Sequence, residues 1–297
     1  MTERRRFAAI VNPISGSRDV VSRVRTIAQE VKRQGGEMEV QITRGPRHAT
    51  QLAAGLRGDV EAVLVVGGDG TVGEVLNGLE DGRVPMLILG TGTENLLARE
   101  LKMPSDPGRI AETLLLGECF RADVGIINQH RFVAIAGIGF DAECVVRMSA
   151  ARRGHITKGD YFWPIWRTYW SYRYPVLSVE ADGEKVFEGR GFVLIGNIAR
   201  YSAGLRMLVN ARNDDGLLDL GVFPCGSRRA MFGHACRAFL RRHVGRGGMI
   251  YRQCRSMRID SEQTVPIEVD GELRGYLPAQ CAVRPGAISF LRARSTP

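Results

Sequence analysis

The chain has 297 residues, 44% hydrophobic and 25% charged, a balance that fits a folded globular protein and excludes wholesale disorder. No stretch approaches the roughly 18 apolar residues of a membrane-spanning helix, and Met1–Arg6 runs straight into the short Phe7–Val11 segment without a signal-peptide core, so neither an integral membrane nor a secreted protein is expected. Net charge is +9, from 41 basic residues of which 37 are arginine, so an anionic partner is expected: nucleic acid, anionic membrane or phosphorylated small molecules.

Phe7–Val11 reads as a buried strand, and Val20, Val24, Ile27, Ala28 and Val31 then recur at helical spacing until Gly35-Gly36 closes the helix. Met38–Thr43 reads as a strand, Ala49–Leu56 as a helix, Ala62–Val66 as a buried strand, Val72–Leu79 as a helix and Met86–Leu89 as a strand. This alternation predicts a mostly parallel sheet covered by helices. From Val124 onward the runs become short strands separated by turns: Arg131–Ala136, Val176–Ala181, Phe192–Asn197, Leu217–Phe223, Met257–Asp260 and Ile267–Val269. They predict an antiparallel β-sandwich, with Asp182-Gly183 as a hairpin turn. Ala287–Leu291 is strand-like and could return to the first domain. The expected domains are an α/β domain over 1–123, completed by 285–297, and a β-sandwich over 124–284. Cys119, Cys144, Cys225, Cys236, Cys254 and Cys281 form no C-x-x-C pair and read as reduced thiols.

The apolar run Val63–Val66 feeds Gly67-Gly68-Asp69-Gly70-Thr71 and then a helical segment. Such a turn aims backbone N–H groups and a helix's positive end at one point, which suits a phosphate. Asp69 beside a phosphate makes sense if Mg²⁺ lies between them; as a plain turn, Gly-Asp-Gly would instead use Asp69 as a helix N-cap. Asn12-Pro13-Ile14-Ser15-Gly16 follows the first strand and Gly90-Thr91-Gly92-Thr93-Glu94-Asn95 the fourth. Strand C-termini of a parallel sheet share one edge, so the three loops are expected to line one crevice.

Taken in order, Asn12-Pro13-x-Ser15-Gly16, Gly67–Thr71 continuing to Glu74-Val75-Leu76-Asn77-Gly78, Gly92-Thr93-x-Asn95, Gly137-x-Gly139-Phe140-Asp141-Ala142, Asp215-Gly216-x-Leu218-Asp219 and Asp270-Gly271-Glu272 resemble the diacylglycerol-kinase-type lipid kinases, which include bacterial diacylglycerol kinases and sphingosine and ceramide kinases. The resemblance spans nearly the whole chain. It implies an N-terminal nucleotide-binding domain, a C-terminal lipid-binding β-sandwich and phosphorylation of a lipid hydroxyl by Mg²⁺-ATP. Carried over, it assigns Asn12, Pro13, Ile14, Ser15, Gly16, Thr43, Gly67, Gly68, Asp69, Gly70, Thr71, Val72, Gly73, Gly92, Thr93 and Asn95 to ATP, with Asp69 also at the Mg²⁺-phosphate. Glu272 matches the family's general base and Asp270 a residue that orients or tunes it, although Asp-Gly-Glu is also an ordinary turn that recurs at Asp182-Gly183-Glu184. A structural Mg²⁺ is implied at Asp215, with Arg212 and Leu217 as carbonyl donors, and Asp123 matches an acid near the domain junction. Two positions depart from the pattern: Leu96 replaces the usual acid after Asn95, where Glu94 could compensate, and Gly73 replaces a common Asn. They bear on the diacylglycerol assignment more than on kinase chemistry.

Tyr161–Tyr174 holds eight of the 21 aromatic residues, including Trp163, Trp166 and Trp170, interleaved with Arg167 and Arg173. It reads either as an interfacial lipid-facing helix or as a buried Trp stripe with Tyr and Arg outward. Cys225–Ile259 holds nine arginines and no acid (Arg228, Arg229, Arg237, Arg241, Arg242, Arg246, Arg252, Arg255 and Arg258), so the net charge resides there. Met231, Ala235, Ala238 and Phe239 are its expected apolar helix face, which makes the segment a basic amphipathic helix for anionic membrane or a solvated face. His234 and His243 are expected as surface or satisfied histidines. The expectation is a cytoplasmic, peripherally membrane-associated enzyme of lipid metabolism with a lipid substrate at the membrane surface and no nucleic-acid partner, its homodimerisation left open. The alternatives are an NAD kinase, which shares Gly-Gly-Asp-Gly, and a catalytically weak nucleotide-binding membrane or regulatory module.

Overall fold

A computed structural model describes residues 4–16, 19–79, 82–151, 162–244 and 248–294. The chain divides into two compact units, Met1–Ala122 with Gly286–Pro297, and Asp123–Pro285. Tyr161 of the aromatic segment and Arg246 of the basic segment lie outside the described residues.

In the first unit β1 (Arg6–Val11), α1 (Val20–Arg33), β2 (Glu37–Ile42), α2 (His48–Ala54), β3 (Ala62–Gly67), α3 (Asp69–Gly78) and β4 (Met86–Gly90) alternate, followed by α4 (Leu96–Glu100) and α5 (Pro107–Leu116). The strands pair in parallel as β4-β3-β1-β2. β1 and β3 are buried along almost their whole length, as central strands covered on both faces must be, whereas β2 is the edge and leaves Val40 and Ile42 exposed. α1 lays Val20, Val24, Ile27 and Val31 on the core, and Gly35, at φ +84°, ends it. The periodicity reading passes over α4 and α5; α5 carries start signals of its own, Pro107 at its first position and an Asp106 carboxylate accepting the Arg109 N–H at 3.0 Å.

The chain continues as β5 (Glu118–Ile127), β6 (His130–Phe132), β7 (Ile135–Ile138), α6 (Phe140–Ala151), α7 (Phe162–Ser171), β8 (Val176–Ala181), β9 (Glu184–Gly196), β10 (Leu218–Pro224), α8 (Arg228–Phe239), β11 (Ile250–Cys254), β12 (Ser256–Asp260), β13 (Pro266–Val269), β14 (Glu272–Tyr276) and β15 (Ala279–Arg292). The second unit is antiparallel: β14-β13-β7-β9-β10-β11 form one run and β9-β8-β12-β15 another, so the thirteen-residue β9 serves both. Ile138, Leu177, Val193, Leu220, Ile259 and Ile267 belong to its core. β8 and β9 meet at the Asp182-Gly183 hairpin, where both residues have positive φ. The end of β15 pairs in parallel with β4 in the first unit, Phe290 opposite Met86.

Three expectations are corrected. Arg131–Ala136 is not one strand, because the N–H groups of Val133, Ala134 and Ile135 turn to the Asp270 carboxylate and divide β6 from β7. The helix after the Gly-Gly-Asp-Gly loop begins at Asp69, not Val72, since glycines at its first turn do not prevent the amides from closing on Gly68. In α8 the buried face is Met231, His234 and Ala238, while Phe232 and Phe239 point outward. Among the described residues no helix is long and apolar enough to cross a membrane.

Candidate functional site

The C-terminal ends of β1, β3 and β4 bring their loops into contact. Gly68 caps α3 in an extended conformation, with no side chain over the first-turn amides. A Cβ on Gly92 would sit 2.7 Å from Gly68 Cα, and one on Gly16, at φ +87°, 2.1 Å from the Thr91 carbonyl oxygen, so glycine is required where the loops touch. The Asn12 amide donates to Thr71 Oγ1 at 3.0 Å, the Thr91 hydroxyl donates to Ser15 Oγ at 3.1 Å, and Asn95 closes on Gly92 through both ends of its side chain. Asn95 starts α4 with φ 50°, a left-handed position that asparagine tolerates.

Asp69 does not N-cap α3. It is the helix's first residue, and its carboxylate instead accepts the Leu97 N–H at 3.3 Å, joining the β3 loop to the start of α4. Desolvation pushes its carboxyl above the ordinary range and the Glu94 charge adds to this, while backbone N–H groups of Leu96, Leu97 and Asn95 pull the other way. Two acids thus act on one point beside loop amides. That donor chemistry fits a hard divalent cation whose shell is completed by phosphate oxygens and water, since among the described residues no group of three or more His, Cys, Asp or Glu could hold a metal alone.

Of the other residues assigned to ATP, Pro13 and Ile14 are exposed, Ser15, Gly70 and Thr93 are half-buried, and the Thr43 N–H bonds the Val11 carbonyl at the same sheet edge. Val72 and Gly73 are buried in α3 and face the core, because the helix starts early and carries them past the loop. Glu74, quoted only as part of a motif, supports α2: its carboxylate accepts the N–H groups of Arg47 at 2.8 Å and Ala49 at 3.1 Å.

In the second unit, Glu272 follows a turn in which Asp270 and Gly271 have φ of 48° and 84°. The Asp270 carboxylate accepts from Val133 at 3.3 Å, Ala134 at 3.2 Å and Ile135 at 3.0 Å, so it anchors the turn to the segment before β7. Glu272 is half-exposed and pairs with Arg274 at 2.5 Å.

The 212–217 segment wraps around Asp123, which is 3% exposed, accepts the Gly216 N–H at 2.7 Å and donates its own N–H to the Asn213 carbonyl. Asp215 accepts the Leu217 N–H at 3.1 Å, and Arg212 pairs with Asp214. Asp219, also quoted only within a motif, is buried with one carboxyl oxygen bonded by the Tyr251 hydroxyl and the other without a hydrogen-bond partner. Burial raises its pKa, the Tyr251 hydroxyl and the nearby Gln253 side chain oppose this, and the Asp215 charge raises it further. A buried oxygen without a partner next to a second acid fits a cation at this loop.

The tryptophans are not a buried stripe. Trp163, Trp166 and Trp170 are 65%, 45% and 51% exposed, while Pro164 and Thr168 face inward. Arg228 lies 4.8 Å over the Trp170 ring, and the Tyr169 hydroxyl donates to the Arg228 carbonyl at 3.2 Å, fixing α7 beside α8. Arg252 and Arg258 pair with Glu184 and Asp260, so the basic segment is not one uninterrupted patch. His234 and His243 are both buried, with Nε2 against the carbonyls of Pro224 and Met207, each at 2.9 Å, while the His243 Nδ1 has no hydrogen-bond partner.

A parallel α/β unit with three contacting small-residue loops is thus followed by an antiparallel unit carrying an acidic turn. Residues 6–127 match the diacylglycerol kinase catalytic domain and residues 134–292 the YegS C-terminal NAD kinase beta sandwich-like domain, and the chain belongs to the family that joins them. It is 28% identical over 281 residues to a diacylglycerol kinase of Staphylococcus carnosus (strain TM300), covering 93% of this chain and 91% of that one. It is 27% identical over 297 residues to one of Mycobacterium tuberculosis (strain ATCC 25618 / H37Rv), covering 97% and 96%. A crystal structure of a diacylglycerol kinase from Bacillus anthracis str. Sterne superposes with a TM-score of 0.73 at 20% identity, covering 98% of each chain. Another from that organism, provisionally assigned the same activity, reaches 0.81 at 23%, covering 98% of this chain and 96% of its own.

Proposed function

We propose that the protein is a lipid kinase that moves the γ-phosphate of ATP to a lipid hydroxyl. The observation that carries this reading is the contact of the three loops around Gly68 and Gly92, where the first-turn amides of α3 have no side-chain cap next to Asp69. The loop amides bind phosphate, and Asn12, Thr71, Ser15 and Thr91 hold the loops in register. Mg²⁺, when bound through Asp69 and Glu94, neutralises phosphate charge. Glu272 accepts the hydroxyl proton as the lipid oxygen bonds to phosphorus and the bond to the ADP oxygen breaks. Asp215 would hold a structural Mg²⁺, with the Arg212 and Leu217 carbonyls as further donors.

The lipid is met at an anionic membrane through α7 and α8, by exposed Trp163, Trp166 and Trp170 of the first helix and by exposed Arg229, Phe232, Phe239, Arg241 and Arg242 in and after the second. The family relatives support a diacylglycerol acceptor, and the departures at Leu96 and Gly73 keep sphingoid lipids in the test. The testing experiment is phosphate transfer from ATP to diacylglycerol, monoacylglycerol, sphingosine and ceramide in vesicles. Turnover of NAD without any lipid would replace this reading by an NAD kinase; tight ATP binding without transfer would leave a regulatory module.

A further inference from the structure

The pattern Glu-x-Asp-Gly-Glu occurs twice, over Glu180–Glu184 and Glu268–Glu272. Both copies form two-residue hairpin turns with positive φ at Asp and Gly, and in both the Asp carboxylate accepts N–H groups of an adjacent segment: Arg255 and Ser256 for Asp182, residues 133–135 for Asp270. The copies differ at the first glutamate. Glu180 is half-buried, whereas Glu268 is 3% exposed, hydrogen-bonds the Asp141 side chain and accepts the Gly271 N–H at Oε2, 2.9 Å away.

The junction is built for this pair. A Cβ on Gly137 would lie 2.6 Å from Asp141 Oδ2 and 2.7 Å from Glu268 Oε1, so only glycine lets the two carboxyls meet. The Tyr201 hydroxyl donates to Asp141 from the segment after β9. Among the described residues, the titratable groups acting on the pair are Tyr201, Asp270 of the turn and Cys144 of α6, which interacts with Asp141. All are acids. Burial first, then the Asp141 charge, holds the Glu268 carboxyl well above the ordinary carboxylate range, and burial raises Asp141 as well, so the pair holds one shared proton in its hydrogen bond.

We propose that Glu268 is a positioning residue: bridged between Asp141 and the Gly271 N–H, it fixes the Asp270–Gly271 peptide of the turn that leads into Glu272 and so the direction of that carboxylate. This rests on the lipid-kinase reading for its catalytic consequence, but not for its geometry. Glutamine at 268 reproduces both bonds, with an oxygen for Gly271 and an amide donor for Asp141, and has no proton to lose. Leucine removes both.

Full-length wild type, Glu268→Gln and Glu268→Leu are compared by hydrogen exchange of the Gly271 amide, resolved by ¹⁵N NMR, and by kcat across pH with the lipid that the wild type phosphorylates. Loss of one such hydrogen bond corresponds to about tenfold. Glu268→Leu is expected to exchange Gly271 about tenfold faster and to lose about tenfold in kcat with KM for ATP unchanged. Glu268→Gln is expected to keep protection and kcat within about threefold and to retain activity at alkaline pH where the wild type declines. Wild-type exchange and kcat in Glu268→Leu, or a Glu268→Gln as impaired as the leucine variant, overturns the proposal. If Glu268→Leu does not fold, Glu268→Gln with a wild-type alkaline limb overturns it. If the wild type phosphorylates no lipid, the kinase reading fails while Gly271 exchange still decides the positioning claim.

Discussion

The Asn12 side chain donates to Thr71 Oγ1 at 3.0 Å, linking the loop after β1 to the first turn of α3. Its other end accepts the Ile14 N–H, so one side chain shapes its own loop and ties it to the next. Asn12→Ala is therefore expected to raise KM for ATP about fivefold, the equivalent of one net hydrogen bond, with a smaller change in kcat. Steady-state kinetics at saturating lipid check this; an unchanged KM would remove Asn12 from the phosphate loop.

Asp270 and Asp182 make equivalent turn anchors in different hairpins of the second unit. Each Asp→Ala change leaves backbone N–H groups without their acceptor and is expected to cost about 1–3 kcal/mol in urea unfolding. Only Asp270→Ala should also lose kcat, because only its turn leads to Glu272. Equal loss of activity in both would make the effect one of general stability.

Stability should depend on pH through Glu268. Its folded-state carboxyl is raised by burial, so folding favours the protonated form and the contribution is complete below the ordinary carboxylate range. It is lost as pH rises from that range toward the folded value. Glu268→Gln has no such loss, so the wild type's melting temperature should fall relative to the variant's on going from pH 4 upward. Parallel curves would contradict this.

The α7–α8 face predicts membrane binding separable from ATP binding. Arg237→Gln, Arg241→Gln and Arg242→Gln together should weaken binding to phosphatidylglycerol vesicles by about 100-fold at low salt, at about 1 kcal/mol per cation. ATP affinity should not move. Trp166→Ala with Trp170→Ala should weaken binding to neutral vesicles as well, measured by vesicle sedimentation; unchanged sedimentation would leave these helices as solvated surface.

The alternating apolar runs made the parallel unit legible, because β1, β3 and β4 are continuous hydrophobic segments with nowhere to go but a covered sheet; their order in the sheet was not legible. The three loops were legible for the same reason, as strand ends on one edge. What sequence could not show was direction. Nothing in Gly-Gly-Asp-Gly says that Asp69 turns away from its own helix to meet Leu97, or that α3 swallows Val72 and Gly73. The break at Val133-Ala134 depends on a carboxylate 136 residues away, a contact without a local signal. Tryptophans spaced three and four apart fit a buried and an exposed stripe equally, and the choice fell to Pro164 and Thr168, which take the inner face. Glu268 and Glu180 share a sequence context and differ only in what packs over them.

The central claim is phosphate transfer to a lipid hydroxyl with Glu272 as general base. The most direct measurement is transfer from γ-labelled ATP to the lipid panel by wild type, Glu272→Gln and Asp69→Ala. The account predicts wild-type activity on at least one lipid, a loss of about 10²–10⁴ in kcat for Glu272→Gln with ATP binding retained, and loss of Mg²⁺-ATP binding for Asp69→Ala. Full activity in both variants would contradict it.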